Sequence, residues 1–263
     1  MIDISGVHVT FHAGTANENH ALRGIDLRIE QGSFVTVIGS NGAGKSTLLN
    51  AIAGDVAVTS GRIGIDGRDV TTWPVHQRSG LCARVFQDPL AGTCGPLTIE
   101  ENLGLADDRG QMRSLHFALT ASRRARYRAL LKPLGLGLER RLGDRMELLS
   151  GGQRQAVSLL MATLQPLQIL LLDEMTASLD PNMANFVMDL TQRIVAERRL
   201  TALMITHSMS QALAFGERTL MMHRGKILLD IQGEQRASMS VAGLIEKFAQ
   251  VRGDQLDQDS LLL

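Results

Sequence analysis

The sequence predicts an α/β fold in which a mostly parallel core sheet carries an antiparallel β subdomain and a helical subdomain. Three observations predict it. Short apolar runs of strand length alternate with helical runs toward both ends of the chain, and a glycine-bounded ribbon interrupts the first part. A polar, helix-patterned segment from about residue 88 to 165 separates the two α/β portions. At 263 residues the chain can bury roughly three-quarters of its unfolded surface, so it needs no disulfide or metal staple.

The elements follow in order. Residues 7–11, 24–29 and 33–38 read as strands, the last (SFVTVI) apolar enough for burial on both faces. A glycine-rich turn leads into STLLNAIAG, whose apolar residues recur at helical spacing. Residues 61–69 (GRIGIDGRD) carry a hairpin signal with AspGly at the turn. Further apolar strands are expected at 168–172, 200–205 and 219–223, and ArgGly after the last opens a second hairpin into 226–230. From about Arg252 the sequence lacks periodicity and reads as a frayed tail, so the expected domain spans 1–248 and the tail 249–263.

Lysines and arginines number 27, as do aspartates and glutamates, so no global basic field exists and nucleic acid is not an expected partner. The charge is uneven along the chain: Arg109, Arg113, Arg123, Arg124, Arg126, Arg128 and Lys132 crowd into the helical segment. That run reads either as a solvated helix face or as a contact for a partner or anionic lipid headgroups. Cys82 and Cys94 are too few for a disulfide framework and point to a reducing cytoplasm. The N-terminus lacks the charged patch and apolar run of a signal peptide. The most apolar stretch, AVSLLMATLQPLQILLLDE, is broken by Gln165, Pro166 and Gln168, short of the ~18 residues of a membrane span. Any membrane role is expected to come through a partner.

Between the strand FVTVIG and the helix STLLNAIAG lies a phosphate-cradle pattern, G-x-x-x-x-G-K-[ST]. Gly39, Ser40, Asn41, Gly42, Ala43 and Gly44 let successive N–H groups curl toward phosphate oxygens, and the helix N-terminus adds its positive dipole end. Lys45 supplies a mobile positive charge for β- and γ-phosphates, Ser46 a hydroxyl for Mg²⁺, and Thr47 continues the helix. Phosphoryl chemistry needs a carboxylate at the end of a neighbouring strand. The run Ile-Leu-Leu-Leu before Asp173 and Glu174 supplies it: Asp173 as the metal carboxylate and Glu174 as the candidate general base.

Two further segments define the kind of nucleotide hydrolase. Leu149, Ser150, Gly151, Gly152 and Gln153, ahead of a helical run and of AspGlu, resemble the signature of ATP-binding cassette (ABC) ATPases. Chemically this is a second anion site, a serine and two glycine N–H groups at a helix start. The resemblance implies a P-loop NTPase (RecA-like) core, ATP and Mg²⁺ as ligands, and a signature that grips the γ-phosphate bound by a facing cassette. By the same resemblance Gln87 is the Q-loop glutamine that contacts Mg²⁺ and the attacking water. Asp180 belongs to the D-loop at the dimer interface, His207 is the switch histidine, and Phe11 is the aromatic that stacks on adenine. Met175 departs from many members, which carry Pro or His there.

The resemblance, running from about Ile2 to Phe248, further implies a dimer of cassettes that powers a separate membrane permease from its cytoplasmic face. Residues 89–96 (PLAGTCGP), irregular and exposed in character, are the expected docking surface, with Cys94 a small packing residue. A stand-alone cassette resembles the ATPase subunits of bacterial uptake systems, with a separate solute-binding protein and an amino acid or similar small solute. A soluble ATPase of iron–sulfur assembly is the alternative.

Overall fold

The computed structural model describes residues 1–110 and 119–260, with side chains through residue 250; Arg113 lies outside the described residues. Residues 1–72 contain β1 (Ile2–Phe11), β2 (Asn19–Ile29), β3 (Phe34–Gly39), α1 (Lys45–Ala53), β4 (Ser60–Ile65) and β5 (Arg68–Asp69). Residues 73–200 contain α2 (Val75–Arg78), β6 (Cys82–Val85), α3 (Ile99–Asp107), α4 (Ala121–Leu131), α5 (Gly151–Thr163), β7 (Ile169–Asp173) and α6 (Pro181–Arg198). The remainder holds β8 (Ala202–Ile205), α7 (Met209–Ala214), β9 (Arg218–His223), β10 (Lys226–Gln232), α8 (Gly233–Ala237) and α9 (Val241–Ser260). The chain divides into two compact units, Met1–Thr72 with Thr201–Leu263, and Trp73–Leu200.

The first unit joins an antiparallel sheet to a parallel one. In the antiparallel sheet the order is β2-β1-β4-β5. Alternation along β1 buries Ile2, Ile4, Val7 and Val9, and a register shift between Ile4 and Val7 keeps both halves facing the core. The predicted AspGly turn is present: Asp66 and Gly67 have φ of 52° and 72°, the paired positive values of a type I′ hairpin. Arg224 and Gly225, at 45° and 79°, make the same turn between β9 and β10. In the other sheet β3 lies parallel to both β8 and β9. Burial of β3 on both faces would strand the Thr36 hydroxyl, but it meets the Ala212 carbonyl at 3.0 Å and Thr219 Oγ1 at 2.9 Å.

The residues from Arg252 depart from expectation: α9 continues to Ser260 as helix rather than ending in an irregular tail. The straight-chain residues there favour helix, and Gly253 costs too little to break it. Upstream in α9, Leu244 is fully buried against a cluster with Ile38 and Met221, and Phe248 packs on that cluster.

In the second unit β6 and β7 pair in parallel, and every residue of β7 is buried. The apolar stretch that might have suggested a membrane segment is split between α5 and β7, and among the described residues no helix is long and apolar enough to cross a membrane. Helix α3 opens with a capping box between Thr98 and Glu101. Its far end carries a buried carboxylate, Asp107, with 3% side-chain exposure. Asp107 accepts from Arg126 Nη1 at 3.0 Å, from the Tyr127 hydroxyl at 3.1 Å and from Gln165 Nε2 at 3.0 Å.

The basic run therefore has a use beyond a solvated face. Arg123 pairs with Asp108 at 2.6 Å, Arg124 with Glu100 at 2.8 Å and Arg126 with Asp107, so three of its guanidiniums fasten α4 to α3.

Burial, the Asp107 charge and the hydrogen bond to it push the Tyr127 hydroxyl from 10.0 up to about 12. The folded state thus holds this proton more tightly than the unfolded chain. Stability contributed by the pair is present below pH 10 and falls as pH rises toward 12. Tyr127→Phe should cost about 1 kcal/mol in urea denaturation at neutral pH and should flatten that alkaline loss; an unchanged alkaline profile would remove Tyr127 as its source. Asp107→Ala, which leaves the buried Tyr127 hydroxyl without its acceptor, should cost about 2 kcal/mol.

Candidate functional site

In the first unit the glycine-rich loop runs from the end of β3 into α1. A side chain at Gly39 would collide with the Met222 carbonyl, and a Cβ at Gly44 would sit 2.5 Å from the Ala21 carbonyl. Both glycines have positive φ, 154° and 97°. The loop is thus held between β2 and the β9–β10 hairpin, fixed further by a hydrogen bond of 3.0 Å from Gly225 N to the Ala43 carbonyl. Gly44 precedes α1 without any side-chain cap.

Lys45 is buried to 5% exposure, and its Nζ donates to the Gly39 and Ser40 carbonyls at 2.9 and 3.1 Å. Asn41, Gly42 and Ser46 are exposed, and Ala43 is buried beneath the loop. Thr47 is half-buried. The shape is a cradle that a Cβ would fill, beside an uncapped helix start. It fits a polyphosphate.

His207 belongs to the same unit. Because Val37 pairs with Ile205, the loop after β3 and the segment after β8 leave at the same carboxyl end of the strands. His207 is exposed there, next to Ser208, which caps α7. Phe11 ends β1 opposite Asn19, half-buried at the sheet's edge rather than in the core.

The second unit carries the other residues. Val85 pairs with Leu172, so Gln87 and Glu174 both follow their strands at one carboxyl end. Gln87 is exposed, and the carbonyl before it, of Phe86, accepts from the buried Gln155 amide at 3.0 Å. Asp173 is 7% exposed and Glu174 half-buried, with a φ of 43° that a non-glycine residue seldom adopts. Met175 is buried, which accounts for its apolar character.

Ser150 and Asp180, expected in a signature and a D-loop, prove to be helix caps. Ser150 caps α5 in a capping box: its Oγ accepts from Gln153 N, and Gln153 Oε1 accepts from Ser150 N, each at 3.2 Å. Gly151 is exposed, whereas Gly152 is a packing glycine whose Cβ would meet Met183 side-chain atoms at 2.5 to 2.9 Å. The Asp180 carboxylate caps α6, accepting from Asn182 N and Met183 N at 3.1 Å. Cys94 is exposed, not the packing residue expected, because only its backbone is tied down, by Asn102.

One residue that sequence reasoning missed is Arg84, whose Nη2 lies 2.5 Å from Asp173 Oδ2. The available signal was an arginine inside the apolar strand CARV. Taken separately, the Ser46 hydroxyl in the first unit and the Asp173 carboxylate in the second are hard oxygen donors of the kind Mg²⁺ takes.

A strand-loop-helix phosphate cradle, a strand ending in two acids and a serine-capped helix define a P-loop nucleotide-hydrolase fold. Residues 22–177 match the ABC transporter family model, and the chain belongs to that family as an ATPase. A tyrosine transport ATP-binding protein of Clostridioides difficile (strain R20291) is 40% identical over 248 residues, 94% of this chain and 98% of the relative. The thiamine import ATP-binding protein ThiQ of Yersinia pseudotuberculosis serotype I (strain IP32953) is 37% identical over 207 residues, 78% of this chain and 82% of the relative. Among solved structures, the ATP-binding cassette MJ0796, a dimer in a post-hydrolysis state bound to ADP and Pi, superposes with a TM-score of 0.76. It is 28% identical, covering 88% of this chain and 98% of that one.

Because Asp180 caps α6 through its carboxylate, Asp180→Ala should lower stability by about 1 kcal/mol, while Asp180→Asn, which keeps the acceptor, should lower it far less. Urea denaturation of the two variants checks this, and equal losses would show that the cap is not what the residue contributes.

Proposed function

We propose that this chain is the ATP-hydrolysing subunit of an uptake transporter, working as a pair of cassettes on the cytoplasmic side of a separate membrane permease. The observation that carries the reading is the glycine-built cradle closed by Lys45 and opening onto the uncapped start of α1. The names of the tyrosine and thiamine relatives support transport over iron–sulfur assembly and support a small solute such as an amino acid. A solute-binding protein in the same system completes this proposal.

In the proposed mechanism Lys45 turns its ammonium to the β- and γ-phosphates, and the N–H groups of the loop and of Ser46 and Thr47 bind phosphate oxygens. Ser46, Asp173 and Gln87 would hold Mg²⁺, which would supply positive charge opposite the phosphate oxygens. Glu174 polarises the attacking water, with Gln87 and His207 orienting groups around the γ-phosphate. Phe11 offers its ring to the adenine. The signature of the facing cassette contributes Ser150 and the Gly151 and Gly152 N–H groups, with Gln153 holding the serine in its cap and Asp180 at the dimer contact. The dimeric state of the MJ0796 cassette supports pairing.

Residues 89–96, at the start of the helical segment, are the proposed contact with the permease. A groove of about 480 Å³ lies in this part of the second unit, lined among others by Gly92, Cys94, Leu105, Arg109 and Met161. Its lining includes two arginines and no carboxylate, and Leu90 and Leu105 stand exposed at 49% and 62%. Arg109 Nη2 is buried without a hydrogen-bond partner. These features suit a permease segment that brings apolar side chains and an acid.

Glu174→Gln should bind ATP yet lose turnover by at least ~100-fold and accumulate as an ATP-stabilised dimer in size-exclusion chromatography; normal hydrolysis would contradict the base assignment. Lys45→Ala should weaken ATP binding itself, by roughly tenfold or more for the loss of a charged hydrogen bond, and titration with a fluorescent ATP analogue measures it. Unchanged affinity would remove Lys45 from the phosphate site.

A further inference from the structure

Arg84 is a permanent positive charge in an otherwise apolar strand, and the fold sets it against Asp173. The register of β6 against β7 sets Arg84 beside Leu171, two residues before Asp173. From there Nη2 reaches Asp173 Oδ2 at 2.5 Å, with the two side chains 14% and 9% exposed. The guanidinium carbon also lies 4.6 Å from the centre of the Phe86 ring, so a strand neighbour holds the plane of the cation in place.

A guanidinium fixed by its strand and by the Phe86 ring orients a carboxylate that is itself almost fully buried. The same cation opposes the approach of a divalent metal to that carboxylate, because like charges repel strongly where solvent is excluded. We propose that Arg84 is a positioning residue for the metal carboxylate. It presents the Asp173 carboxylate aligned while holding down its intrinsic affinity for Mg²⁺, so that firm binding requires the negative charge of nucleotide phosphates. The inference rests on the reading of Asp173 as the metal carboxylate. It gives Arg84 a role that packing alone would not: metal binding is made conditional on nucleotide.

The test is a Mn²⁺ titration of the full chain without nucleotide, followed by electron paramagnetic resonance at pH 8. R84M should bind Mn²⁺ about tenfold more tightly than wild type, the scale on which a neighbouring charge shifts a carboxylate's proton affinity. R84K, which keeps the charge, should stay within about twofold of wild type, a retention that a purely structural role does not require. Circular dichroism confirms the fold, and if R84M does not fold, R84Q, which removes charge but keeps a hydrogen-bond donor, is judged by the same criterion. A folded, uncharged variant whose Mn²⁺ affinity matches wild type overturns the proposal. D173N separates the two readings: it should abolish the Mn²⁺ site in every background, and a D173N chain that binds like wild type overturns the metal assignment of Asp173 itself.

Discussion

The first unit is organised by backbone passing close to backbone. The loop after β3 lies against the Ala21 carbonyl on one side and the Met222 carbonyl and Gly225 on the other, at separations that leave no room for a Cβ at Gly39 or Gly44. Gly225 is crowded in the same way, its own Cβ position lying 2.8 Å from the Ala21 carbonyl while its carbonyl accepts from Arg23 N at 2.9 Å. The cradle's shape therefore comes from β2 and from the β9–β10 hairpin as much as from the loop's own sequence. A type I′ turn at Arg224 and Gly225, far along the chain, helps to set the curvature of a loop that begins at residue 39.

The helix termini show a related economy. Helix α1 begins without a side-chain cap, whereas α5 and α6 begin with Ser150 and Asp180 satisfying their first N–H groups. An uncapped start is open to an anion from outside; a capped one has its first donors partly engaged. On the proposed reading the Ser150 hydroxyl serves both, since it accepts from Gln153 N and still has a proton to donate. Gly152 is explained without any ligand, by the approach of Met183.

Much of this was legible in the sequence, and the reasons differ by element. The hairpins at Asp66–Gly67 and Arg224–Gly225 were readable because a turn with two positive φ values demands a few residue types in a fixed place. The cradle was readable because strand, glycine spacing and helix follow one another without a break between residues 34 and 53. What escaped were pairings fixed by tertiary register. Arg84 and Asp173 are 89 residues apart, and only the parallel alignment of β6 with β7 brings them together. Asp107 gathers Arg126, Tyr127 and Gln165 in the same way. The caps at Ser150 and Asp180 had a local signature, Ser-Gly-Gly-Gln and Asp-Pro, that the functional motifs overshadowed.

The balance of 27 basic and 27 acidic residues takes on a structural meaning in the second unit. Within α4, Arg123, Arg124 and Arg126 are matched by Asp108, Glu100 and Asp107 of α3 and its C-terminal end, so a run that looked like an outward-facing basic surface is largely spent on holding two helices together. A buried acid such as Asp107 fixes its partners more firmly than exposed pairs do, because solvent screens it less. Arg84 repeats the pattern beside Asp173, with a carboxylate held by a guanidinium from the neighbouring strand. Arg109 differs: burial depresses its pKa and part of its guanidinium lacks a hydrogen-bond partner. On the proposed reading that buried cation at the groove is what an acid of the permease would complete.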